Sequence, residues 1–394
     1  MKSKLNICLL TSSFLPNIGG AEIGLHNICL QLLKKGHNPI VMTSFSHFKN
    51  LKKQNFLLPY KVISFPPLIF RIMSKFPNIA QLFLEKFYDL VQKKYNFDFW
   101  HTTFAYPTGV SVIKYCNKRN INYLVRAVGE DIQINKKINY GIRLNKQIND
   151  QICEWLPKAK IIISISNSIN KEYLNLGVKK EKIINIPNGI DLERITNFSR
   201  KKKTNKQNSK ITFLSVGRYH RKKNFESLLD ASNQLSKKTK NFVVNIVGTN
   251  VNKLLPIVER MKLKQFINLY EPTLPSLISC HSKKFPTDEI LKFYKDSNVF
   301  IMPSILESFG IVTVEAMGFG LPIIIAKSPG NIDVVRNGKD AFLYDGTISS
   351  LEKAMLKFIN NKKIREFYSR KSKRRSKDFN WSTIVDHYVS LYRD

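Results

Sequence analysis

Short apolar runs recur along the chain, each closed by glycine, proline or small polar residues. They fall at residues 5–10, 39–43, 97–101, 123–125, 161–166 and 182–186. After a gap they return at 211–216, 242–247, 266–270, 299–302, 321–326 and 341–344. Runs of this length without strict alternation predict strands buried on both faces. Between them apolar residues recur at helical spacing. The segment 23–33 carries Ile23, Ile28, Leu30, Leu32 and Leu33 and closes at Lys34-Lys35-Gly36, favourable chemistry for a helix end. Helices are likewise predicted up to Leu176-Gly177 and over 225–235, 288–296, 351–360, 364–379 and 381–392. Strand and helix in alternation predict an α/β fold with parallel sheets.

The run 200–210, RKKKTNKQNSK, holds no apolar residue and interrupts the alternation, which then restarts. It predicts a charged linker. With 394 residues, two domains of ordinary size are expected: 1–199 and 211–378, followed by a last helix at 379–394. The segment 56–91 is basic and aromatic, and Pro66-Pro67 excludes one long helix there. Beyond Pro77, Ile79, Leu82, Phe83, Phe87 and Leu90 keep a helical period with lysines on other faces. Two readings stand: a helix packed on the core, or an interfacial patch resting on anionic lipid.

A hydrophobic content of 43% is that of a globular chain, but the net charge of +35 is extreme. Compositional bias, attraction to an anionic membrane and nucleic-acid binding each account for such charge. No nucleic-acid recognition motif stands beside it, so nucleic acid is not expected as a partner. Five scattered cysteines without a CxxC pair predict a reducing, cytoplasmic setting and no zinc site. The start, MKSKLNICLLTSS, has an apolar core of only 5–10 and lacks a small-residue cleavage site, so it predicts a first strand and not a signal peptide. No apolar run approaches the ~20 residues of a membrane-spanning helix.

Candidate chemistry centres on residues 303–322, PSILESFGIVTVEAMGFGLP. Glu307 and Glu315 stand with seven residues between them, in a pattern of strand, loop, helix, strand. Eight helical steps separate two residues by about 12 Å along the axis and roughly 80° around it. The two carboxylates then serve different parts of one elongated ligand. The backbone N–H groups of Phe309 and Gly310, at the helix start, favour an anion, and Gly310 permits close approach. A diphosphate-linked sugar suits both features. The plain alternative is two acids stabilising the first turns of an ordinary helix.

Gly19-Gly20 follows the first strand and precedes a helix, but it is not GxGxxG, so a nicotinamide cofactor is not supported. In the loop 217–224, Arg218 presents a planar fork and Lys223 a point charge at the carboxyl end of a strand, where open α/β sheets bind ligands. Both suit a diphosphate; the alternative is a solvated basic turn. His101, at a strand end, either bonds an acceptor or is buried and satisfied. Asp131 either caps a helix or contacts substrate. No cluster has the spacing of a metal site.

The pair of glutamates, with Ser-Phe-Gly after the first and Ala-Met after the second, resembles the donor-site signature of the retaining glycosyltransferase family 4. GGAE at 19–22, FAYP at 104–107, PNGID at 187–191 and the GR…KN loop at 217–224 match further motifs in order, over nearly the whole chain. The resemblance implies the GT-B fold: two Rossmann-like domains facing a central cleft, with the last helix crossing back onto the first. It implies metal-independent, cofactor-free hexosyl transfer from a nucleotide sugar, UDP-linked, to a hydroxyl of a glycan or lipid-linked acceptor, with retention of configuration. Cell-surface polysaccharide, lipopolysaccharide or glycolipid synthesis is the implied setting, at the cytoplasmic side of an anionic membrane. The implied catalytic residues are Arg218, Lys223 and Glu307. The implied donor site comprises Gly19, Gly20, Arg218, Lys223, Glu307, Phe309, Gly310 and Glu315, with Glu315 on the ribose and Glu307 on the sugar. His101 and Asp131 are implied on the acceptor side.

Three departures stand out. Thr103 replaces the second histidine of the family's HxH segment, Val128 replaces a histidine near the donor sugar, and 271–287 is a long, atypical insertion. Two alternatives remain: a nucleotide-sugar epimerase of the same fold, or a non-enzymatic basic protein bound to membrane or polyanion.

Overall fold

The computed structural model describes residues 4–201, 210–272, 284–336 and 338–393. Residues 202–209 of the predicted linker and 273–283 of the insertion lie outside the described residues. The strands of the first half are β1 (Asn6–Thr11), β2 (Asn38–Thr43), β3 (Lys61–Ser64), β4 (Phe99–Thr103), β5 (Tyr123–Arg126), β6 (Ile161–Ser164) and β7 (Ile183–Asn185). Those of the second are β8 (Ile211–Val216), β9 (Phe242–Val247), β10 (Ile267–Tyr270), β11 (Val299–Met302), β12 (Ile323–Ala326) and β13 (Phe342–Tyr344). Helices α1 (Gly20–Lys34), α2 (Phe45–Lys53), α3 (Ile69–Lys75), α4 (Pro77–Tyr95), α5 (Val110–Arg119), α6 (Lys146–Trp155) and α7 (Asn167–Asn175) accompany the first set. The second set has α8 (Leu192–Arg200), α9 (Phe225–Ser236), α10 (Leu255–Arg260), α11 (Asp288–Asp296), α12 (Ile311–Gly318), α13 (Asn331–Val334), α14 (Ile348–Asn360) and α15 (Lys362–Arg375). Helix α16 (Trp381–Leu391) ends the chain.

Two compact units result. Of the described residues, the first holds those within 4–188 and 381–393, the second those within 189–272 and 284–380. The first unit has an all-parallel sheet in the order β3-β2-β1-β4-β5-β6-β7, with Ile7 opposite Pro39 on one side and Phe99 on the other. Every residue of β4 and β5 is buried, the polar His101, Thr102, Thr103 and Arg126 included, as strands covered on both faces require. The second unit has the order β10-β9-β8-β11-β12-β13, also parallel. Its core gathers Phe213, Leu228, Ile246, Ile301, Ile324, Met355 and Phe358, with the Phe242 and Phe266 rings stacked 4.8 Å apart.

The division falls at 188/189, ahead of the run 200–210 on which the predicted boundary rested. The reason is α8. Its Ile195 lies against Gly318 of α12, Arg194 pairs with Asp288 of α11, and Phe198 meets Phe319 edge-on. A second crossing at 380/381 returns α16 to the first unit. There Lys35 of α1 pairs with Asp386 at 2.6 Å, and Phe99 of β4 packs on Tyr392 at 4.9 Å.

Helix α4 packs on the core, but through a face other than the 79–90 stripe. Ala80, Gln81, Leu84, Tyr88 and Val91 are its buried residues, whereas Ile79, Leu82, Phe83 and Leu90 are exposed. Only Phe87 of the stripe reaches inward, against Phe65 and Tyr88. The apolar period seen in the sequence is therefore the outer face, and packing of that stripe on the core is corrected. The edge strand β3 was not predicted, because its short run Lys-Val-Ile-Ser sits inside the basic, aromatic segment. No helix among the described residues is long and apolar enough to cross a membrane.

Candidate active site

In the second unit, β8 and β11 are neighbours, and the chain leaves them toward opposite edges of the sheet. A crevice opens at such a reversal, at the carboxyl ends of the strands. Two loops meet there. The first runs from Gly217 to Asn224 and ends in one tight turn, Arg221–Lys223, with Asn224 left-handed at φ 52° ahead of α9. The second runs from Pro303 to Gly310 and opens α12.

Lys223 Nζ donates to Glu307 Oε1 at 2.7 Å, joining the loops, and both side chains are largely buried. The backbone repeats the join: Ile305 N–H donates to the Lys222 carbonyl at 2.9 Å. Lys223 lies along Gly217, where an added Cβ would stand 3.0 Å from Lys223 Cε. Burial alone raises the pKa of Glu307, but the Lys223 and Lys222 charges and hydrogen bonds from Lys223 and Ser304 outweigh it, holding the carboxylate below its usual range. Desolvation lowers Lys223, against the pull of Glu307. Arg218 is exposed beside them, close enough for its charge to bear on Lys223.

A third loop, after β12, fixes Glu307 from behind. Glu307 N–H donates to the Pro329 carbonyl at 3.0 Å. Gly330 has φ +78°, and a Cβ there would lie 1.9 Å from the Glu307 carbonyl oxygen, so only glycine fits. Asn331 Nδ2 donates to the Ser304 carbonyl at 3.0 Å and to Ser328 Oγ at 2.9 Å. Gly330 and Asn331 escaped the sequence reading as site supports; a Pro-Gly-Asn turn directly after a buried strand was the available signal.

Helix α12 begins at Ile311, with Gly310 left-handed (φ +79°) and no side chain capping its first turn. Of the first-turn amides, Thr313 N–H already donates to the Gly310 carbonyl at 2.9 Å; the helix start still presents a positive end. Phe309 is buried against Phe379, so only its backbone is placed to serve a ligand. Glu315 is buried, and its Oε2 accepts from Tyr294 Oη at 2.7 Å. Desolvation raises its pKa to about 7, with the Tyr294 bond and the Arg194 charge opposing. Lys223, Glu307 and the α12 start thus share the crevice, while Glu315 is engaged with Tyr294, which the sequence did not reveal.

In the first unit, Gly19 caps α1 in extended backbone and Gly20 opens it. Glu22 folds back over this start: its Oε1 accepts from Ser13 Oγ at 2.5 Å. The acceptor-side reading of His101 is corrected. Its ring is fully buried, shares a 2.6 Å hydrogen bond with Tyr392 Oη and stacks on Tyr388. Burial and the nearby Arg126 charge keep it neutral. His101 therefore fastens α16 to the sheet. Asp131 is corrected likewise: it is buried and accepts from the N–H groups of Ala105 (2.7 Å), Val128 (3.0 Å) and Gly129 (2.8 Å), organising a loop. Among the described residues, no three His, Cys, Asp or Glu side chains gather to hold a metal ion.

Comparison with known proteins agrees with this arrangement. Residues 18–194 match Glycosyltransferase Family 4, and residues 197–375 match Glycosyl transferases group 1. An uncharacterized glycosyltransferase of Methanocaldococcus jannaschii is 24% identical over 98% of this chain and 97% of its own. Among solved structures, Anabaena HepE in complex with UDP aligns with a TM-score of 0.74 at 17% identity, over 98% of this chain and 99% of that one. A glycosyltransferase of Rickettsia africae aligns at 0.73 and 18%, over 99% and 98%. At these identities the two structures speak to the fold alone. Two parallel-sheet units, motifs in family order and both family matches lead to one conclusion: the chain is a glycosyltransferase of family 4 (group 1), with the GT-B fold.

Proposed function

We propose that this enzyme moves a hexosyl group from a UDP-linked sugar to a hydroxyl of a glycan or lipid-linked acceptor, with retention of configuration. The observation that carries the reading is the Lys223–Glu307 pair at the β8/β11 crevice, with Arg218 exposed next to it. The diphosphate lies against Arg218, Lys223 and the first-turn amides of α12. The uracil nucleoside extends along α12, where Glu315 turns from Tyr294 to the ribose hydroxyls. Glu307 holds the Lys223 ammonium in place and borders the donor sugar. UDP bound to the Anabaena neighbour supports the choice of nucleotide.

In the reaction, the bond from the anomeric carbon to the diphosphate oxygen breaks while the acceptor oxygen bonds to that carbon on the same face. The acceptor proton passes to a diphosphate oxygen. Charge grows on the leaving group, and fixed cations and dipoles aimed at it lower the barrier. Arg218, Lys223 and the helix start supply that positive charge, so the reading assigns no metal a role. Acceptor binding belongs to the first unit, where Gly19 and Gly20 open α1. The setting is cell-surface polysaccharide or glycolipid synthesis at the cytoplasmic side of the membrane.

The test is incubation with radiolabelled UDP-hexoses and a panel of glycan and polyprenyl-linked acceptors, followed by separation and anomeric analysis of products. Label on an acceptor with retained configuration is expected. An inverted linkage, or an epimerised free sugar formed without any acceptor, would overturn the reading.

A further inference from the structure

We infer that the outer face of α3 and α4 is a docking surface for an anionic lipid bilayer. Among the described residues, the large apolar side chains at least 50% exposed are Leu57 and six others, Leu68, Phe76, Ile79, Leu82, Phe83 and Leu90. All six lie in one stretch spanning α3 and α4. At about 100° per residue, Ile79, Leu82, Phe83 and Leu90 share an arc of roughly 100° on α4, opposite Ala80, Leu84, Tyr88 and Val91. The helix is thus apolar twice over: one face is buried in the unit and the other has no cover. Concentrated exposure of this kind marks an interaction surface.

The charge around it selects the occupant. Lys86 and Lys93 fall within the exposed arc, Lys94 at its edge, and Lys75 just before Phe76; all four are exposed. The acidic residues of α4 are on the flank facing α5 and already paired, Glu85 with Lys118 and Asp89 with Arg119, each at 2.7 Å. The face therefore presents apolar side chains and uncompensated cations. A second copy of a chain with net charge +35 would bring like charge against it. A bilayer with anionic headgroups answers both properties: acyl chains take Leu82, Phe83 and Leu90, and headgroups take the lysines. No helix among the described residues is long and apolar enough to span, so in this proposal α4 lies along the surface. The inference does not need the transfer reading, because α3 and α4 belong to the first unit and the donor crevice to the second.

The test is sedimentation of the full-length protein with vesicles of mixed phosphatidylglycerol and phosphatidylcholine, or of phosphatidylcholine alone, at low and high salt. Leu82→Ser with Phe83→Ser removes apolar contacts from exposed positions without changing the net charge, and Lys362→Ser with Lys363→Ser removes two cations from exposed α15. Expected is binding to the anionic vesicles that partly survives high salt, falls by roughly tenfold or more in the Leu82/Phe83 variant, and is unchanged in the Lys362/Lys363 variant. Far-UV circular dichroism and thermal unfolding of the Leu82/Phe83 variant, expected to match wild type, show that it is folded. Wild-type binding by that variant would mean that bulk charge alone is at work and would overturn the inference. So would absence of vesicle binding, or a wild-type dimer that the same substitutions dissociate.

Discussion

Lys223 and Glu307 are 84 residues apart in sequence and 2.7 Å apart in the fold. The pair spans two loops that leave adjacent strands in opposite directions, so it can form only when the β8–β11 pairing is in register. Removing one partner leaves a buried, uncompensated charge, which costs about 3–5 kcal/mol. Lys223→Met and Glu307→Gln are therefore expected to lower stability separately and to abolish transfer. The double variant is expected to recover part of the stability, with a coupling of about 0.5–3 kcal/mol in urea unfolding.

Arg218 separates function from folding. It is exposed, so Arg218→Ala is expected to change stability by less than about 0.5 kcal/mol. Losing a fixed donor to the leaving group typically lowers turnover by about 10²–10³. Steady-state rates with a UDP-sugar, set beside unfolding curves, check both halves of this expectation.

Glu315 gives a pH signature. The folded protein holds its proton up to about pH 7, whereas an unfolded chain releases it near 4.5. The folded state binds more protons in that interval, so this group's contribution to stability falls as pH rises from 4.5 to 7 and is level beyond. The fall is of order 3 kcal/mol. Glu315→Gln is expected to remove it, seen as a flatter pH dependence of the urea midpoint than in wild type. If the carboxylate accepts ribose hydroxyls, UDP affinity of the wild type rises over the same interval, and that of the variant does not.

His101 and Tyr392 are 291 residues apart, yet they tie the last helix to the first sheet. Tyr392→Phe forfeits one buried hydrogen bond and is expected to cost about 1 kcal/mol. UDP affinity should not move, since neither residue belongs to the donor crevice. Thermal unfolding and a UDP titration of the same variant check this.

What the sequence disclosed follows from how local each feature is. Strand–loop–helix motifs put Arg218, Lys223, Glu307 and Gly310 in the right loops, because chain direction alone carries strand ends to one edge. Glu315 was legible as a helix residue, but not its bond to Tyr294, which comes from another helix. His101, at a strand end, reads in sequence as either an acceptor contact or a buried, satisfied side chain; its cover, Tyr388 and Tyr392, is supplied by the far end of the chain. The 79–90 stripe kept helical period without stating which side of α4 the core would occupy. Periodicity reports a face, and only packing shows which face is buried.

The grip of the second unit on a diphosphate is tested most directly by calorimetric titration with UDP and with UMP. Saturable one-to-one binding of UDP is expected, with UMP weaker by roughly tenfold or more because it lacks the phosphate that meets Arg218 and Lys223. Equal affinity for the two nucleotides, or no heat with UDP, would contradict the account.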